Sequence, residues 1–465
     1  MNKDLRTFLK YLEQRRGDLF VRVKKEVSQR YEIPVIQEKL AKQGRYPVVF
    51  CEKVESSTMP IVSNLFGSYE MLGLGIGVED KDVSKILQTY MIRESNRTPV
   101  KYVDPKDAPV REVIFTGERV DLSMLPIPHH CLKDSGRYIT IGCMINKDPD
   151  NGIPNVGIYR HEVKGKKLLG AMLNPARDAA YIYRKYKDRS LPMEVAIFIG
   201  HHPSVIIGAS SRGGLEHNEF ESMGGIMGEP VEVVKGETVD LPIPAWAEIV
   251  IEGVVQPGNE GIDGPFAEYA GYYGGHKKVP LIDVTAITMR RDPIFHDLDP
   301  AHREHNWSGL LPKEAQIFRR LKEIVPSVNA VHLPASGTSV YHLYVRLKKE
   351  VEGQGKLAGL AAFAGLPDLK HVVVVDDDID IYKDEEVLWA IATRVEADID
   401  LSIIPYTLGA HLDPSSYGET RFNEGRMTSR VIIDATKPVT LPFAERIVPP
   451  QDVWEKIKLE EYLTD

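Results

Sequence analysis

The sequence predicts a mixed α/β fold with a β-barrel-like core, and three observations support this prediction. Helical and strand patterns alternate along the 465 residues, with no low-complexity tract and no repeat array. The middle of the chain carries many short apolar strands separated by Gly, Pro and Asp turns, which favours a barrel with inserted helices over a doubly wound sheet. After His305 the pattern changes to helices between buried strands, which is typical of an α/β unit.

The N-terminal region predicts a small α/β unit. Residues 3–14 carry apolar side chains at helical spacing, which predicts an amphipathic helix. A strand is predicted at 19–23, a second helix at 33–42 and a short buried strand at 47–50. The unit ends near the loop that follows Val103.

The middle and the end of the chain differ in their patterns. Predicted strands of the middle part are 113–116, 138–146, 157–163, 195–200, 205–209, 248–255 and 279–289. In the last part, helices are predicted at 313–324, 385–394 and 453–462. The Val-rich run at 371–375 predicts a buried, parallel strand.

Composition excludes several classes of function. The formal net charge of −9 and the absence of a long basic block argue against a nucleic-acid-binding surface. No segment is apolar over a membrane-spanning length and the N-terminus lacks the apolar part of a secretory signal, so we expect no membrane association and a cytoplasmic location. The widely spaced Cys51, Cys131 and Cys143 fit a reducing compartment and predict neither a disulfide framework nor a zinc site.

The clearest chemical signal is an acidic turn at 263–268, together with a segment at 155–160. A Gly-Pro turn between Asp263 and Glu268 would place both carboxylates on one rigid loop. A cation such as Arg160 could hold one carboxylate ionised and leave the other free to exchange a proton with a substrate. The alternative is an ordinary ion pair between Arg160 and Asp263.

Together the two motifs resemble the Asn…Arg and Glu-Gly-Pro-Phe-x-Glu signatures of the UbiD family, decarboxylases that use prenylated flavin mononucleotide (prenylated FMN). The resemblance covers essentially the whole chain, including the segments 389–394 and 412–415. It implies three parts. These are an N-terminal α/β region at 1–109, a split-barrel domain that binds prenylated FMN at 110–305, and a C-terminal α/β oligomerisation domain with a terminal helix at 306–465.

The activity that this resemblance implies is that of a lyase. It is the reversible, non-oxidative decarboxylation of an aromatic, heteroaromatic or α,β-unsaturated carboxylic acid through a covalent adduct with prenylated FMN. Glu268 matches the family's proton donor, and Arg160 and Asp263 complete the catalytic set. Asp263 stands where the family usually has Glu, which is one methylene longer. A separate flavin prenyltransferase would supply the cofactor.

The resemblance also implies residues that bind the cofactor and a divalent metal. The cofactor-binding residues it implies are Asn155, Ile158, Tyr159, Arg160, Ser210, Ser211, Glu219 and Lys370. Mn²⁺ or Mg²⁺ would lie at Asn155, Asp178 and Glu219, and the family suggests K⁺ as a further ion. Asp178 replaces a family His, and a carboxylate suits these hard cations as well as imidazole does. The alternative for Asp178 is a structural acid at a helix N-terminus.

Four polar residues are candidates for the substrate pocket: His296, Arg303, His305 and His411. They favour a small carboxylic acid that carries a second polar group. From the family we expect a homo-oligomer, either a dimer or a hexamer. Two alternative classes remain. One is a catalytically silent or regulatory flavin-binding subunit of a multi-subunit carboxylase, which the departures at Asp178 and Asp263 would favour. The other is a metal-dependent enzyme without flavin.

Overall fold

The structure is a computed structural model that describes residues 4–175, 177–214, 216–410, 412–416 and 426–463. The α-helices of the described residues are α1 (Leu5–Arg15), α2 (Glu32–Ala41), α3 (Tyr69–Gly75), α4 (Val83–Ser95), α5 (Asp178–Asp188), α6 (Pro203–Gly208), α7 (Glu219–Met227), α8 (Glu304–Trp307), α9 (Leu310–Ile324), α10 (Gln354–Gly365), α11 (Asp384–Arg394), α12 (Ala397–Asp400) and α13 (Gln451–Lys456).

The strands of the first part of the chain are β1 (Phe20–Val23), β2 (Val48–Cys51), β3 (Ile61–Ser63), β4 (Lys101–Tyr102), β5 (Val113–Thr116), β6 (Tyr138–Lys147), β7 (Pro154–Gly165), β8 (Leu168–Ala171), β9 (Met193–Ile199) and β10 (Glu232–Lys235). The later strands are β11 (Pro242–Pro244), β12 (Ile249–Asp263), β13 (Phe266–Ala267), β14 (Tyr273–Gly274), β15 (Lys277–Met289), β16 (Phe295–His296), β17 (Val328–His332), β18 (His342–Leu347), β19 (His371–Asp376), β20 (Leu401–Gly409) and β21 (Arg426–Ala435).

A closed antiparallel barrel of six strands forms the centre of the fold. Its strands follow the order β12-β9-β6-β7-β8-β15, and β15 pairs back with β12 to close the ring. Strand β5 adds to β15 outside this ring. Closure leaves the ring without a free edge. The predicted mixed α/β fold with a barrel in its middle is therefore confirmed.

Both faces of the barrel wall are covered by apolar packing. In β9, Ile197 and Ile199 belong to one apolar core, whereas Ala196 and Phe198 belong to another. Side chains alternate between the two faces of a strand, so each core takes every second residue. This explains why the predicted strands are almost continuously apolar.

Two further sheets flank the barrel. The N-terminal sheet has the order β1-β2-β3-β16, so it includes a strand that follows the barrel in sequence. The C-terminal sheet has the order β17-β18-β19-β21-β20. Strand β19 is parallel to both of its neighbours, as its Val-rich sequence predicts. The predicted domain divisions after residues 109 and 305 stay predictions. Strands β4 and β16 each pair with a strand on the other side of the division at 109.

One predicted strand is wrong: residues 205–209 belong largely to helix α6, Pro203–Gly208. Pro203 occupies the first helical turn, where its missing N–H costs nothing, and the His202 side chain accepts a hydrogen bond from the backbone N–H of Ser204. Every residue of the helix is buried, so no amphipathic pattern marks it. Short apolar runs of this kind fit a strand and a buried helix equally well.

The terminal helix predicted at 453–462 is shorter than expected. Helix α13 ends at Lys456 and a 3₁₀ turn follows at Leu459–Glu461. Among the described residues, none of the helices combines the length and the apolar character that crossing a membrane requires.

A buried polar cluster joins the N-terminal region to the C-terminal domain. The Glu314 carboxylate in α9 accepts a hydrogen bond from the Tyr69 hydroxyl in α3 at 2.6 Å and from the backbone N–H of Leu333 at 2.8 Å. The Nδ1 atom of His332 lies 3.1 Å from the same carboxylate. Because Glu314 is fully buried, these contacts, all to Oε1, compensate for part of its lost hydration, while Oε2 has no hydrogen-bond partner among the described residues.

We expect Tyr69→Phe to lower the free energy of unfolding by about 1.5–3 kcal/mol, the usual contribution of a hydrogen bond to a charged group. The matched control is Tyr11→Phe, which removes a similar bond to Glu79 at an exposed position and should change stability by less than about 0.5 kcal/mol. Urea denaturation measures both variants. Equal effects of the two changes would contradict a special role for the buried cluster.

Candidate active site

The acidic turn and Arg160 are brought together by neighbouring parts of the barrel. Arg160 lies on β7, which pairs with β6 and β8. Asp263 is the last residue of β12, and Glu268 follows the short strand β13. Gly264 between them has φ +87°, and a Cβ there would lie only 2.7 Å from the Gly275 carbonyl oxygen. The turn therefore requires glycine at this position.

Arg160 pairs with both carboxylates of the turn. Its Nη2 atom lies 2.6 Å from Asp263 Oδ2, and its Nη1 atom donates to Glu268 Oε1. The three side chains are 10%, 0% and 6% exposed, in the order Arg160, Asp263, Glu268. Burial alone would lower the pKa of Arg160, but the two carboxylates raise it above its ordinary value. Its guanidinium also lies 4.5 Å from the centre of the Phe266 ring.

The expectation that Arg160 holds one carboxylate and leaves the other free is wrong, since it holds both. Two buried atoms of this cluster nevertheless have no hydrogen-bond partner among the described residues: Arg160 Nε and Asp263 Oδ1. Buried polar atoms of native proteins almost always have partners. These two atoms are exceptions to that rule, and both are covered by neighbouring atoms of the protein.

Asn155, Asp178 and Glu219, the predicted metal ligands, gather at the start of β7. Asn155 donates to Asn146 Oδ1 at 2.8 Å, and Glu219 Oε2 accepts from the backbone N–H of Val156 at 2.9 Å. Burial raises the pKa of Glu219 to about 8, and the Asp178 charge acts in the same direction. Burial also raises the pKa of Asp178. The buried Glu219 carboxylate and the half-buried Asp178 carboxylate, beside an amide oxygen, form a donor set that suits a hard divalent cation.

Only two of these three residues are carboxylates. Within the described ranges, no group of three or more His, Cys, Asp or Glu side chains has an arrangement that could hold a metal ion. Asp178 is the first residue of α5, so the structure also agrees with a role at a helix N-terminus. The alternative for Asp178 therefore stays open.

Four other predicted cofactor residues lie on strand β7 or directly after helix α6. Ile158 and Tyr159 are neighbours on β7 and pack against different apolar cores. Ser210 and Ser211 follow α6, and Ser211 Oγ donates to the Gly208 carbonyl at 2.7 Å. A Cβ added at Gly309 would lie 3.3 Å from Ser210 Oγ, so the chain before α9 approaches this serine closely.

Three basic residues near these serines escaped the sequence analysis: Arg177, Arg212 and Lys313. Burial together with the charge of Arg177 lowers the pKa of Arg212 to about 9. Burial together with the charges of Arg212 and Arg177 lowers the pKa of Lys313 to about 7. The nearby acids Asp178 and Asp368 act in the opposite direction but do not compensate. Mutually repelling cations of this kind are typical of a site for an anion.

A local signal existed for only one of these cations. Arg212 directly follows Ser211 and precedes a Gly-Gly pair, a context that could have indicated an anion site. Lys313 comes from α9, about a hundred residues later, and nothing in its own helix points to this role. Lys370 instead contacts Asp413 at 2.9 Å and the Ser415 hydroxyl. Its predicted contact with the cofactor stays a prediction.

Of the candidate pocket residues, His305 is the one placed beside the acidic turn. Its Nδ1 atom lies 2.7 Å from the Pro300 carbonyl, and its ring packs edge-on against Tyr269 at 5.8 Å. Burial lowers the pKa of His305, while the nearby Glu268 charge opposes this effect. Its position thus agrees with the pocket prediction.

His296 and Arg303 have different surroundings. His296 is fully buried on β16, and burial lowers its pKa to about 4, so it is neutral at pH 7. Neither ring nitrogen of His296 has a hydrogen-bond partner in the described part of the chain. Arg303 lies over the Tyr46 ring at 3.3 Å. His411 lies outside the described residues.

Three family models match this chain, all for 3-octaprenyl-4-hydroxybenzoate carboxy-lyase. The N-terminal domain matches residues 11–90, the Rift-related domain residues 101–302 and the C-terminal domain residues 306–435. Together they span most of the sequence. The chain therefore belongs to the UbiD family of carboxy-lyases, as its two motifs indicated.

Individual relatives agree with this assignment. The structure of the UbiD-class enzyme HmfF from Pelotomaculum thermopropionicum in complex with FMN is 39% identical, covers 99% of this chain and 100% of its own, and has a TM-score of 0.91. The phenolic acid decarboxylase of Sedimentibacter hydroxybenzoicus is 33% identical and covers 99% of this chain and 98% of its own length. The anhydromevalonate phosphate decarboxylase of Methanothermobacter thermautotrophicus is 33% identical, with coverages of 91% and 95%.

Proposed function

We propose that this protein binds prenylated FMN and reversibly decarboxylates an aromatic, heteroaromatic or α,β-unsaturated carboxylic acid. The observation that carries this proposal is the buried trio of Arg160, Asp263 and Glu268, with two polar atoms left unpaired beside it. Solved relatives support the choice of cofactor, since HmfF has been obtained with FMN and, in an evolved dimeric form, with prenylated FMN.

The residues of this chain fit such a cofactor at two points. The cation cluster of Arg177, Arg212 and Lys313 would hold the flavin phosphate, with Ser210 and Ser211 beside it. The Arg160, Asp263 and Glu268 side chains would lie beside the ring system. When bound, prenylated FMN would supply the electron sink for the reaction.

The chain itself supplies a proton and a fixed charge. Glu268, as a carboxylic acid, donates its proton to the substrate carbon that has lost CO₂, and it takes up a proton again before the next turnover. Arg160 orients Glu268 and Asp263 and stabilises negative charge beside the reacting carbon. The low exposure of all three side chains keeps water away from the reacting atoms.

The departure at Asp263 leaves this arrangement intact. Although Asp is one methylene shorter than the usual Glu, its carboxylate reaches Arg160 at 2.6 Å. A catalytically silent or regulatory subunit of a multi-subunit carboxylase is therefore the less supported alternative. Turnover by the purified holoprotein alone distinguishes the two possibilities.

Glu268→Gln should reduce decarboxylation by at least about 10²–10⁴-fold, because the amide cannot donate the proton. Holoprotein from co-expression with a flavin prenyltransferase is assayed for CO₂ release and for H/D exchange on the product. The control Glu260→Gln changes another acid on β12, which pairs with Lys187 and Lys278, and should leave turnover unchanged. Normal exchange in Glu268→Gln with full flavin content would show that another group moves the proton.

We further propose that Asn155, Asp178 and Glu219 would hold Mn²⁺ or Mg²⁺, which would offset negative charge at the flavin phosphate, with K⁺ as an additional ion. The raised pKa values of Asp178 and Glu219 support this, because a cation would stabilise the ionised form of both carboxylates. Asp178 also adjoins Arg177 of the cation cluster in sequence. A metal here would therefore lie next to the proposed phosphate position.

Asp178→Ala should lower both the bound divalent metal and the retention of flavin, because one of two charged ligands is lost. Elemental analysis and flavin absorbance of the purified protein measure these two quantities. Asp188→Ala, at the exposed C-terminal end of the same helix, serves as the control. Unchanged metal and flavin content in Asp178→Ala would assign Asp178 a structural role at the helix N-terminus.

We infer that the substrate carries a second polar group, because His305 lies beside the acidic turn, against Tyr269. An unpaired buried polar group costs about 1–3 kcal/mol, so a purely apolar acid should be turned over roughly tenfold to a hundredfold less efficiently. A panel of 4-hydroxybenzoate, 3,4-dihydroxybenzoate, vanillate, a furan carboxylate and cinnamate tests this expectation. Efficient turnover of cinnamate that survives His305→Ala would rule it out.

We also propose that the protein is a cytoplasmic homo-oligomer, a dimer or a hexamer. Large apolar side chains of the C-terminal segment support self-association, since Ile447 is 98% and Trp454 is 68% exposed in the single chain. An evolved form of HmfF is dimeric, so self-association has a precedent in a UbiD-class enzyme. Light scattering on the purified protein measures the assembly directly, and a monomer at working concentration would contradict this proposal.

A further inference from the structure

A segment that carries none of the motifs described above lies directly against the acidic turn. We call residues 131–138, which lead into barrel strand β6 and include its first residue, the clamp segment. Its Ser135 backbone N–H donates to the Pro265 carbonyl at 2.9 Å. Its Lys133 backbone N–H donates to the Tyr273 hydroxyl at 3.2 Å. The clamp segment therefore contacts the turn and the β13–β14 hairpin that follows it.

Asp134 makes the most direct of these contacts. Its Oδ1 atom accepts a hydrogen bond from the backbone N–H of Ala267 at 2.8 Å, and its Oδ2 atom accepts from the backbone N–H of Cys131 at 2.8 Å. Ala267 immediately precedes Glu268. The Asp134 residue is only 6% exposed, and burial raises the pKa of its carboxyl group. Because both carboxylate oxygens accept hydrogen bonds from backbone N–H groups, Asp134 fixes the position of the clamp segment relative to the acidic turn.

The clamp segment also holds the beginning of the turn. The Tyr138 hydroxyl accepts from the backbone N–H of Gly264 at 3.2 Å. The Tyr138 ring lies 4.3 Å from that of Phe266, the residue beneath the Arg160 guanidinium. Ser135 Oγ contacts the Tyr138 hydroxyl at 2.7 Å. The turn between the two catalytic carboxylates is thus fixed at both ends by one segment.

We propose that Asp134 is a positioning residue for Glu268. By holding the Ala267 N–H it sets the direction in which the next side chain leaves the backbone, and so the distance between the Glu268 carboxyl group and the reacting carbon. This inference rests on the proposed role of Glu268 as the proton donor. Asp134 acts through the backbone of the turn and does not touch the substrate.

The loss of the Asp134 hydrogen bond should have a measurable effect on the rate of decarboxylation. Catalytic groups have to be held within a fraction of an ångström, and a displacement of about 1 Å can cost roughly 100-fold in rate. The Glu268 backbone has further restraints: its N–H donates to the Tyr272 carbonyl at 3.0 Å, and its carbonyl accepts from the Gly271 N–H at 2.9 Å. Arg160 pulls on its carboxylate from the other side. Without Asp134, the backbone N–H of Ala267 would lose its only side-chain acceptor among the described residues.

The test compares Asp134→Ala with Asp134→Asn in the holoprotein, using whichever acid of the panel above is turned over best. Asp134→Ala should lower kcat about 10- to 100-fold and leave KM and flavin content within about threefold of the parent values. Asp134→Asn retains an oxygen that can accept from Ala267, so it should recover most of this loss. Asp121→Ala removes a similar turn-holding carboxylate, which accepts from the Ser123 N–H at 2.9 Å on the barrel surface, and should leave kcat unchanged.

Amide hydrogen exchange gives a readout that needs no substrate. In Asp134→Ala the amides of 264–268 should exchange faster, while those of β7 should keep their protection. This distinguishes the two proposals: if Glu268→Gln stays active, the proton-donor role fails whatever the exchange data show. Three results would overturn the positioning role itself: an unchanged kcat in Asp134→Ala, a loss in Asp134→Asn as large as in Asp134→Ala, or unchanged exchange at 264–268.

Discussion

One buried arginine shared between two buried carboxylates is the interaction on which the rest of this site depends. Arg160, Asp263 and Glu268 bring one cation and two acidic groups together in a place that water hardly reaches. Removing a charged group from water costs several kcal/mol unless a partner compensates for it. The middle of β7, which carries Arg160, and the end of β12 must therefore meet in one arrangement, and this requirement explains why the turn between the carboxylates is held so tightly.

Charge is distributed in an ordered way around this trio. The cations Arg177, Arg212 and Lys313 repel one another on one side, and the carboxylates Asp178 and Glu219 do so close by. Neither cluster is favourable by itself, because burial penalises unpaired charge. A phosphate would stabilise the first cluster and a divalent cation the second. Because Arg177 and Asp178 are adjacent in sequence, the phosphate and the divalent cation would lie next to each other. Their opposite charges would attract, so each ligand would favour binding of the other.

Helix α9 connects this site to the packing of the whole molecule. Lys313 belongs to the cation cluster, and its neighbour Glu314 belongs to the buried polar cluster with Tyr69 and His332. The position of the cation therefore depends on contacts between the N-terminal region and the C-terminal domain. In this way the proposed phosphate site joins Arg177 and Arg212, from the middle of the chain, to Lys313 of α9.

Much of the fold and part of the site could be predicted from the sequence, because their signals are local. The alternation of turns and apolar runs indicated the barrel, and the Asn…Arg and Gly-Pro-Phe motifs indicated Arg160, Asp263 and Glu268. Local patterns failed at 205–209, where complete burial removes the periodicity that separates a helix from a strand.

The remaining features were decided by tertiary structure alone. The sharing of Arg160 between two carboxylates, the approach of Lys313 to Arg212 and the contact of Asp134 with Ala267 each join residues about a hundred positions apart. No spacing rule connects such residues, because chain folding rather than sequence distance sets which charges meet. The sequence thus determined the type of chemistry, whereas the closed barrel and its flanking domains decided which groups are buried together, and burial is what makes their charges interact strongly.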